Sequence, residues 1–305
     1  MALSMALSMA VLMVLDGWLA GWLATNSWAI PQLLVLQIGH GRRRQGKRSC
    51  GDSLTHDSAF VGELPTHNQY VSITDQLNLG VRFLQAQTHN ENGAIEMCHT
   101  YCWELDEGNL AKYLQELSNW IHANPNEVVT LLLTNGDKIP VEQFDSVFAA
   151  TGLKDLVFHP GNTVLAKEQW PTLQEMINAN SRLVVFMDYN MDQSKVDYII
   201  NEFDYFWETP YGITDKSFPT CAVDRPPNGD PNKLMGLMNH MLNYKIGDIV
   251  FPDQFDAFNT NSEASIQAQV NRCVAATSHQ PNVILLDWVN IGQLAAAQLS
   301  LNGLS

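Results

Sequence analysis

The sequence predicts an α/β fold in which parallel strands form a single (β/α) barrel of the TIM type. Short runs rich in aliphatic and β-branched residues alternate with longer stretches of helical periodicity, which is typical of a parallel sheet covered by helices. A chain of 305 residues can contain one barrel of about 250 residues. Because no internal repeat or low-complexity linker divides the chain, we expect one barrel domain over residues 50–305, preceded by an irregular leader over residues 1–49.

Each predicted strand is bounded by Gly, Pro, Asn or Asp. The six strands are Val81–Thr88, Val128–Thr134, Leu183–Tyr189, Asp204–Glu208, Leu234–Asn239 and Val283–Val289. Amphipathic helices are predicted between them, including Leu110–Ala123, which ends before Asn124 and Pro125, and Val141–Ala150. The apolar runs at residues 131–133 and 183–186 indicate strands buried on both faces, as in a parallel sheet.

Polar side chains follow the predicted strands at the point where each strand ends. The carboxyl ends of parallel strands meet at one rim of a barrel, and active sites lie at this rim. Any single Asn or Asp has a plainer explanation, because these residues also cap the helix that follows a strand. The set as a whole favours a polar site at the rim. It comprises Gln87, Thr88, His89, Asn135, Asp137, Asp188, Asn190, Glu208, Asn239, His240 and Asp287.

The chain is acidic, with 17 Lys and Arg against 32 Asp and Glu and a formal net charge of -15. This balance argues against nucleic acid as a partner, since phosphate backbones are bound by basic surfaces. It also disfavours electrostatic docking on anionic membranes. A lipid substrate would therefore be reached through apolar contacts or as a released headgroup. We expect at most transient membrane contact, and a monomer.

The five cysteines are enough for two disulfides and one spare thiol, which is consistent with an oxidising compartment. Cys98 and Cys102 flank His99, so a local disulfide and a metal site are both open. We favour the disulfide, because no second Cys/His pair follows at zinc-finger spacing. No metal and no other cofactor is expected, apart from a weak indication of calcium discussed below.

The first 24 residues are apolar, but no Lys or Arg precedes the apolar run and Asp16 interrupts it. The segment is a poor match to a signal peptide and to a transmembrane helix. A basic cluster at residues 42–48 follows it. The cluster is open to three interpretations, a processing site, the cytosolic flank of an anchor, or sequence that is not normally translated. The segment as a whole is either an unstructured leader or a secretory signal. We expect a secreted protein.

Two histidine motifs extend the prediction from fold to function. The segment Thr55–Phe60 places His56 beside Asp57, and Met97–Thr100 places His99 after a short apolar run. This arrangement resembles the catalytic X region of the phosphatidylinositol-specific phospholipase C family, whose members are barrel phosphodiesterases. Stretches similar to the fungal secreted branch of the family lie at residues 67–69, 85–89, 124–135, 183–189 and 223–226. The resemblance covers the chain from about residue 54 to its end.

The resemblance implies an acid/base pair. His56 would be the general base that deprotonates an attacking hydroxyl, and His99 would protonate the leaving oxygen, since an ordinary histidine pKa lies close enough to neutrality for both roles. Asp287 matches the carboxylate that orients the first histidine, and Asp57 would contact the substrate. A phospholipid or inositol-phosphate type of small molecule is the implied substrate. The residues expected to bind it are Gln85, Gln87, His89, Asn135 and Asp188.

The chain departs from this family on the second strand. Calcium-dependent members carry acidic residues there, and metal-independent bacterial members carry an arginine, whereas this sequence has Gln85 and Gln87. Strand alternation puts residues 85, 87 and 89 on one face and Arg82 on the other, so Arg82 is predicted to be structural, buried and paired. A protonated His89 is the remaining candidate for a positive charge on the interior face.

Two alternatives to a phosphodiesterase follow from these residues. A barrel that binds a phosphate-containing ligand without turning it over would explain Gln85 and Gln87. A glycoside hydrolase would explain the strand-end carboxylates Asp188, Glu208 and Asp287, but neither histidine. A further departure lies at residues 48–53, which are polar where the family has an apolar first strand.

Overall fold

The computed structural model describes residues 69–98, 106–161, 163–247 and 249–303. Within these residues the strands are β1 Phe83–Glu91, β2 Ala94–Cys98, β3 Asp106–Asn109, β4 Val129–Thr134, β5 Leu183–Met187, β6 Ile199–Asn201, β7 Phe206–Glu208, β8 Met235–Asn239, β9 Asn243–Ile246, β10 Ile249–Pro252 and β11 Val283–Leu285. The helices are α1 Ile73–Asn78, α2 Leu110–Ala123, α3 Val141–Ala150, α4 Leu173–Asn178, α5 Ala257–Thr260, α6 Glu263–Thr277 and α7 Leu294–Leu301.

The six strands predicted from sequence are all present, as β1, β4, β5, β7, β8 and β11. The bounds of α2 and α3 match the prediction residue for residue. Strand β6 was not predicted, because three residues are too few to show a periodicity. The predicted α/β class with parallel strands is therefore confirmed in its main elements.

The parallel strands are arranged in two sheets. In the first, β1, β4, β5 and β6 are parallel in that order, and β2 and β3 extend the β1 edge as antiparallel strands. In the second, the parallel order is β11, β8, β7. Strands β9 and β10 form a separate hairpin after β8. In the part of the chain that the structure describes, no strand pairing joins the two sheets.

The two sheets share one core, because aromatic rings from both meet between them. Phe206 on β7 contacts Phe83 on β1 and Phe186 on β5 edge to face, with ring centroids 6.0 Å and 5.0 Å apart. Aliphatic residues of β4 and β5 are fully buried on both faces, as the apolar runs predicted. This is the packing of a barrel whose interior is filled by side chains.

Arg82 lies outside this interior, at the amino end of β1. Its Nε donates to Glu127 Oε2 at 2.9 Å, and its Nη1 donates to the carbonyl oxygens of Leu77 and Val81 at 2.7 Å and 2.8 Å. The guanidinium also stacks over Trp120 at 4.9 Å. The prediction that Arg82 is a paired structural residue is confirmed, but the side chain is half-buried, with 17% of its surface exposed, and not buried as predicted.

A disulfide joins the long connection after β7 to helix α6. It links Cys221 and Cys273, which are separated by 52 residues in sequence. Cys98 is also disulfide-bonded, whereas Cys102, its predicted partner, lies outside the described residues. A search of the described residues for helices long and apolar enough to cross a membrane finds none.

Candidate active site

The interior face of the parallel strands carries polar side chains at its carboxyl end. Side chains alternate along a strand, so every second residue from Phe83, Phe186 and Phe206 lies on the same face. The strand registers extend this face to the neighbouring strands. The polar residues on it, along the carboxyl-terminal parts of the strands or just beyond them, include Gln85, Gln87, His89, Thr134, Asp188, Glu202, Glu208, Asn239 and Asp287.

An ion pair lies at the end of β7. Arg225 donates to one carboxylate oxygen of Glu208, Oε2, from Nη2 at 2.6 Å and from Nε at 3.2 Å. The same oxygen accepts from Asn239 Nδ2 at 3.3 Å, while that amide also donates to the Thr209 carbonyl at 2.6 Å. The Glu208 side chain is 2% exposed and that of Arg225 is 28% exposed. The buried carboxylate is therefore covered by a guanidinium that solvent can reach.

A second buried carboxyl group, Glu202, adjoins the first. Burial, a hydrogen bond to the Glu208 side chain and the charge of Glu208 together raise the pKa of Glu202 well above its usual range. Ionising two adjacent carboxyl groups inside a protein costs free energy, because the two negative charges repel each other. We therefore assign Glu202 as the protonated member of the pair. Burial would lower the pKa of Arg225, but Glu208 and Glu202 have the larger combined effect and raise it. Glu208 and Arg225 thus form a charged pair beside a neutral acid.

Asp188 follows β5, and its carboxylate is held by the backbone just after the neighbouring strand β4. The Asn135 N–H donates to Asp188 Oδ1 at 2.7 Å. Burial raises the pKa of Asp188, although the Asn135 and Tyr189 amides and the Arg225 charge act in the opposite direction. The Asn135 side chain accepts from the Ile139 N–H at 2.8 Å and donates to the Tyr189 carbonyl at 3.2 Å. Asn135 therefore orders the loop that positions Asp188, and its predicted contact with substrate stays a prediction.

Asp287 follows β11 on the interior face, and the backbone around it is held from two directions. Asn261 Nδ2 donates to the carbonyl oxygens of Asp287 and Trp288 at 2.8 Å and 3.2 Å. On the other side, Gln69 Nε2 donates to the Leu286 carbonyl at 3.1 Å, and the Val289 N–H donates to Gln69 Oε1 at 2.9 Å. Asp287 is buried, with 6% of its surface exposed. These bonds fix the backbone that carries the Asp287 carboxylate, and the predicted orienting role of Asp287 stays a prediction.

The remaining predicted site residues on β1 differ in their surroundings. Gln85 is half-buried and Gln87 is exposed, and both lie on the interior face as predicted. His89 lies further along the same strand, where its Nδ1 is 3.2 Å from Asp137 Oδ2. Asp137 also accepts from the Asn90 N–H at 2.8 Å. His89 is thus part of a partly exposed pair at the rim.

The other predicted groups either face away or lie outside the described residues. His240 lies on the outer face of β8, where its ring stacks on Phe218 with centroids 4.0 Å apart and bonds Gln269 and the Thr260 carbonyl. Burial lowers its pKa, so it is a neutral structural group. The predicted catalytic residues His56, Asp57 and His99 lie outside the described residues. Among those that are described, no group of three or more His, Cys, Asp or Glu could bind a metal ion.

Two members of this site were missed by sequence reasoning. Glu202 follows the three-residue strand β6, which gave no pattern from which its face could be predicted. Arg225 lies in a long connection, and only its membership of the stretch at residues 223–226 gave a signal. Glu208 was predicted as a member of the polar rim and as a possible glycosidase carboxylate, but not as the partner of an arginine.

The fold and its polar rim define an α/β barrel with a candidate site at the carboxyl ends of the strands, the usual place for an active site in this class. Residues 51–302 match the family model described as PI-PLC X. The chain belongs to the PI-PLC X family, which confirms the resemblance seen in its motifs.

Two proteins of one fungus are similar to this chain in sequence, and a bacterial enzyme has a similar fold. PI-PLC X domain-containing protein 1 of Arthroderma benhamiae is 46% identical over 254 residues, which cover 82% of this chain and 83% of that protein. An uncharacterized secreted protein of the same fungus is 39% identical over 251 residues, covering 78% of this chain and 56% of that protein. A phosphatidylinositol-specific phospholipase C from Staphylococcus aureus has a TM-score of 0.58 at 12% identity, covering 92% of this chain and 97% of that chain. At that identity the likeness concerns the fold alone, and it confirms the predicted barrel class.

Proposed function

We propose that the chain is a phosphodiesterase of the phospholipase C type, with His56 as general base and His99 as general acid. His56 removes the proton of an attacking hydroxyl, whose oxygen bonds to phosphorus. The bond from phosphorus to the leaving oxygen breaks, and His99 gives its proton to that oxygen. Membership of the PI-PLC X family supports this proposal. The observation that carries it is the buried, braced carboxylate of Asp287 on the interior face.

Asp287 would act on the first histidine in this scheme. A carboxylate that accepts a hydrogen bond from one imidazole nitrogen fixes the tautomer, leaves the other nitrogen free to take a proton, and stabilises the imidazolium that results. The backbone bonds from Asn261 and Gln69 support this role, because they limit how far the carboxylate can move. Asp57 would contact the substrate hydroxyl or the leaving group.

The substrate-binding roles are proposed for the interior polar side chains. Gln85 and Gln87 can donate amide hydrogen bonds to hydroxyl or phosphate oxygens without adding charge. Asp188 can accept hydrogen bonds from hydroxyl groups of a headgroup, and Asn135 orders the loop beside it. His89 is included as a rim contact. No tightly bound metal or other cofactor is part of the scheme.

A lipid as the source of the substrate is supported by the apolar surface around the rim. Among the described residues, six of the nine exposed large apolar side chains lie in connections that leave the carboxyl ends of β5, β7 and β8. They are Tyr189, Tyr211, Ile246, Val250, Phe255 and Phe258. Phe255 and Phe258 are 77% and 67% exposed. Exposed aromatic residues beside a site favour contact with a lipid interface over a freely diffusing polar substrate.

We further propose that the protein is secreted and acts as a monomer with transient membrane contact. The fungal relative named as a secreted protein supports export. The Cys221–Cys273 disulfide supports an oxidising compartment. Recovery of the protein from culture medium, and its mass by sedimentation equilibrium, test these two statements.

The proposed activity is tested by release of water-soluble phosphorus from phosphatidylinositol vesicles by the purified full chain, with calcium and with chelator. We expect turnover in both conditions, and its loss in His56→Ala and His99→Ala. His279→Ala, which changes an exposed histidine far along the chain, is the matched control and is expected to keep full turnover. If the folded, unmutated chain shows no turnover with calcium and none with chelator, the proposal is overturned.

A catalytically impaired barrel that binds a phosphate-containing ligand is the second candidate. It is favoured by the neutral amides of Gln85 and Gln87 on the interior face, where a developing negative charge would need a compensating cation. Calorimetric binding of inositol 1-phosphate to a chain that shows no turnover would support this candidate. Turnover by the unmutated chain would exclude it.

The apolar rim has its own test, because it concerns the lipid and not the bond that is cleaved. Replacing both Phe255 and Phe258 by Ser is expected to weaken binding to phosphatidylcholine vesicles about tenfold or more, since two large apolar side chains no longer leave water. Val274→Ser, on an exposed face of α6, is the control. Equal loss in the control and the double variant would argue against a specific lipid-binding rim.

A further inference from the structure

The connection after β7 folds back so that Arg225 lies over the end of that strand. The Glu208 N–H donates to the Arg225 carbonyl at 2.7 Å, and the Asp224 N–H donates to the Glu208 carbonyl at 2.8 Å. Gly229 packs so closely that a Cβ there would lie 3.0 Å from the Trp207 Cβ. The Cys221–Cys273 disulfide attaches the start of this segment to α6. Arg225 is therefore held on the strand it covers.

The guanidinium of Arg225 is oriented but not saturated. Nε and Nη2 both donate to Glu208 Oε2, which fixes the plane of the group. Tyr211 and Phe203 cover it, with ring centroids 5.1 Å and 5.9 Å from Cζ. Nη1 has no hydrogen-bond acceptor among the described residues, and the side chain is 28% exposed. An arginine has five N–H donors, so several remain available to a ligand.

The carboxyl groups that interact with Arg225 carry less negative charge than their number suggests. The charge of Arg225 is balanced by Glu208 alone, because the adjacent Glu202 carries a proton. Burial also raises the pKa of Asp188, a carboxyl group that interacts electrostatically with Arg225. Asn239, from β8, is uncharged. An approaching anion thus meets free N–H donors of a cation, at a place where burial disfavours the charged forms of Glu202 and Asp188.

We infer that Arg225 is an anion-binding residue that contacts the phosphate of a phosphodiester or phosphate-monoester ligand at the barrel mouth. This inference rests on the proposed function for its choice of ligand. Its geometric basis is the oriented guanidinium with unused donors beside the interior polar residues of β5, β7 and β8. Arginine is suited to this role, because its planar donors match two phosphate oxygens at once. It would also supply the positive charge that Gln85 and Gln87 cannot supply.

The test is calorimetric binding of inositol 1-phosphate and glycerol 3-phosphate to the full chain, with inositol and glycerol as uncharged controls. We expect the two phosphates to bind and the two polyols to bind far more weakly. Arg225→Ala is expected to lower phosphate affinity roughly 10- to 100-fold, the loss typical of a charge-assisted hydrogen bond. Arg272→Ala, which removes an exposed arginine whose Nη1 donates to the Ala268 carbonyl at 3.3 Å, should bind as the unmutated chain does.

Two further variants and outcomes complete the test. Arg225→Lys keeps the charge beside Glu208 but loses the planar donors, so we expect an affinity between those of the unmutated chain and Arg225→Ala, even if the alanine variant folds poorly. Unchanged affinity in a folded Arg225 variant, or no phosphate binding by the unmutated chain, would overturn the inference. Arg225-dependent binding without turnover would leave it standing while the proposed activity fails. If the Arg225 variants keep both the turnover and the phosphate affinity of the unmutated chain, the proposed activity stands and the inference about Arg225 fails.

Discussion

Replacing Glu202 with Gln should change how the stability of the protein depends on pH. Glu202 is buried against Glu208, and burial together with that neighbour raises its pKa well above the usual range. Glutamine has nearly the same shape as a protonated glutamic acid but does not titrate. The substitution therefore removes one ionisation from the interior and leaves the packing and the Glu208–Arg225 pair in place.

The sign and size of the effect follow from proton linkage. In the unfolded chain a Glu carboxyl loses its proton near pH 4.3, roughly, whereas folded Glu202 keeps it to higher pH. Between these two values the folded state binds one more proton than the unfolded state. The free energy of unfolding then falls by about 1.4 kcal/mol per pH unit as the pH rises. Glu202→Gln lacks this loss, so its stability relative to the unmutated chain should increase by about 1.4 kcal/mol for each pH unit between the unfolded and the folded pKa of Glu202.

The measurement is urea unfolding of both proteins at several pH values, with the difference in free energy plotted against pH. Asp188, whose pKa is also raised by burial, contributes a slope of the same sign to both proteins and cancels in the difference. Glu168→Gln makes the same chemical change on an exposed side chain and is the matched control. A difference that stays constant with pH would refute the assignment of the proton to Glu202.

Two further predictions concern the connections that support the site. A Cys221→Ala, Cys273→Ala variant lacks the disulfide that closes a loop of 52 residues. The unfolded chain then gains entropy, so we expect a loss of about 4 kcal/mol in stability and a melting temperature lower by roughly 8–16 °C. A shift of only a degree or two in thermal melts would contradict this. Gly292→Ala should destabilise the fold by roughly 3 kcal/mol in chemical unfolding, because Gly292 has φ +94° and a Cβ there would lie 2.6 Å from Asn261. Gly152→Ala shares the positive φ of +72° but meets no atom within 4 Å, so equal losses in the two variants would show that the contact with Asn261 is not the cause.

The parallel strands could be predicted from sequence because burial on both faces leaves a continuous apolar run. Leu183–Met187 is buried at every position, and so is Met235–Asn239, although the latter includes a buried polar end. The hairpin of Asn243–Ile246 and Ile249–Pro252 was not predicted, since the side chains of its first strand are half-buried or exposed and show no alternation. A buried strand can be recognised in the sequence as an apolar run. A surface strand has no such pattern, because it depends on pairing with a strand that the sequence does not identify.

The candidate site could be predicted only where its residues continue a strand. Asp188 and Asp287 follow apolar runs by one or two positions, so strand alternation placed them on the interior face. Arg225 reaches the same face from a connection whose path depends on backbone pairing with Glu208 and on the Cys221–Cys273 link. No local pattern encodes such a return. The partner of a buried carboxylate was therefore the part of the site that required the structure.

A chain of net charge -15 can bind an anionic substrate. Salt screens charges beyond a Debye length of about 8 Å at physiological ionic strength, so a bound phosphate interacts mainly with the charged groups closest to it. Around Arg225 the negative charge is reduced by the protonated Glu202 and balanced at Glu208. The overall acidity then slows the approach of an anion without preventing its binding. A membrane rich in anionic lipid is different, because it presents many charges to the whole acidic surface at once. Access to lipid would therefore depend on apolar contacts such as those of Phe255 and Phe258. Binding of the headgroup would depend on the local charge inside the barrel mouth.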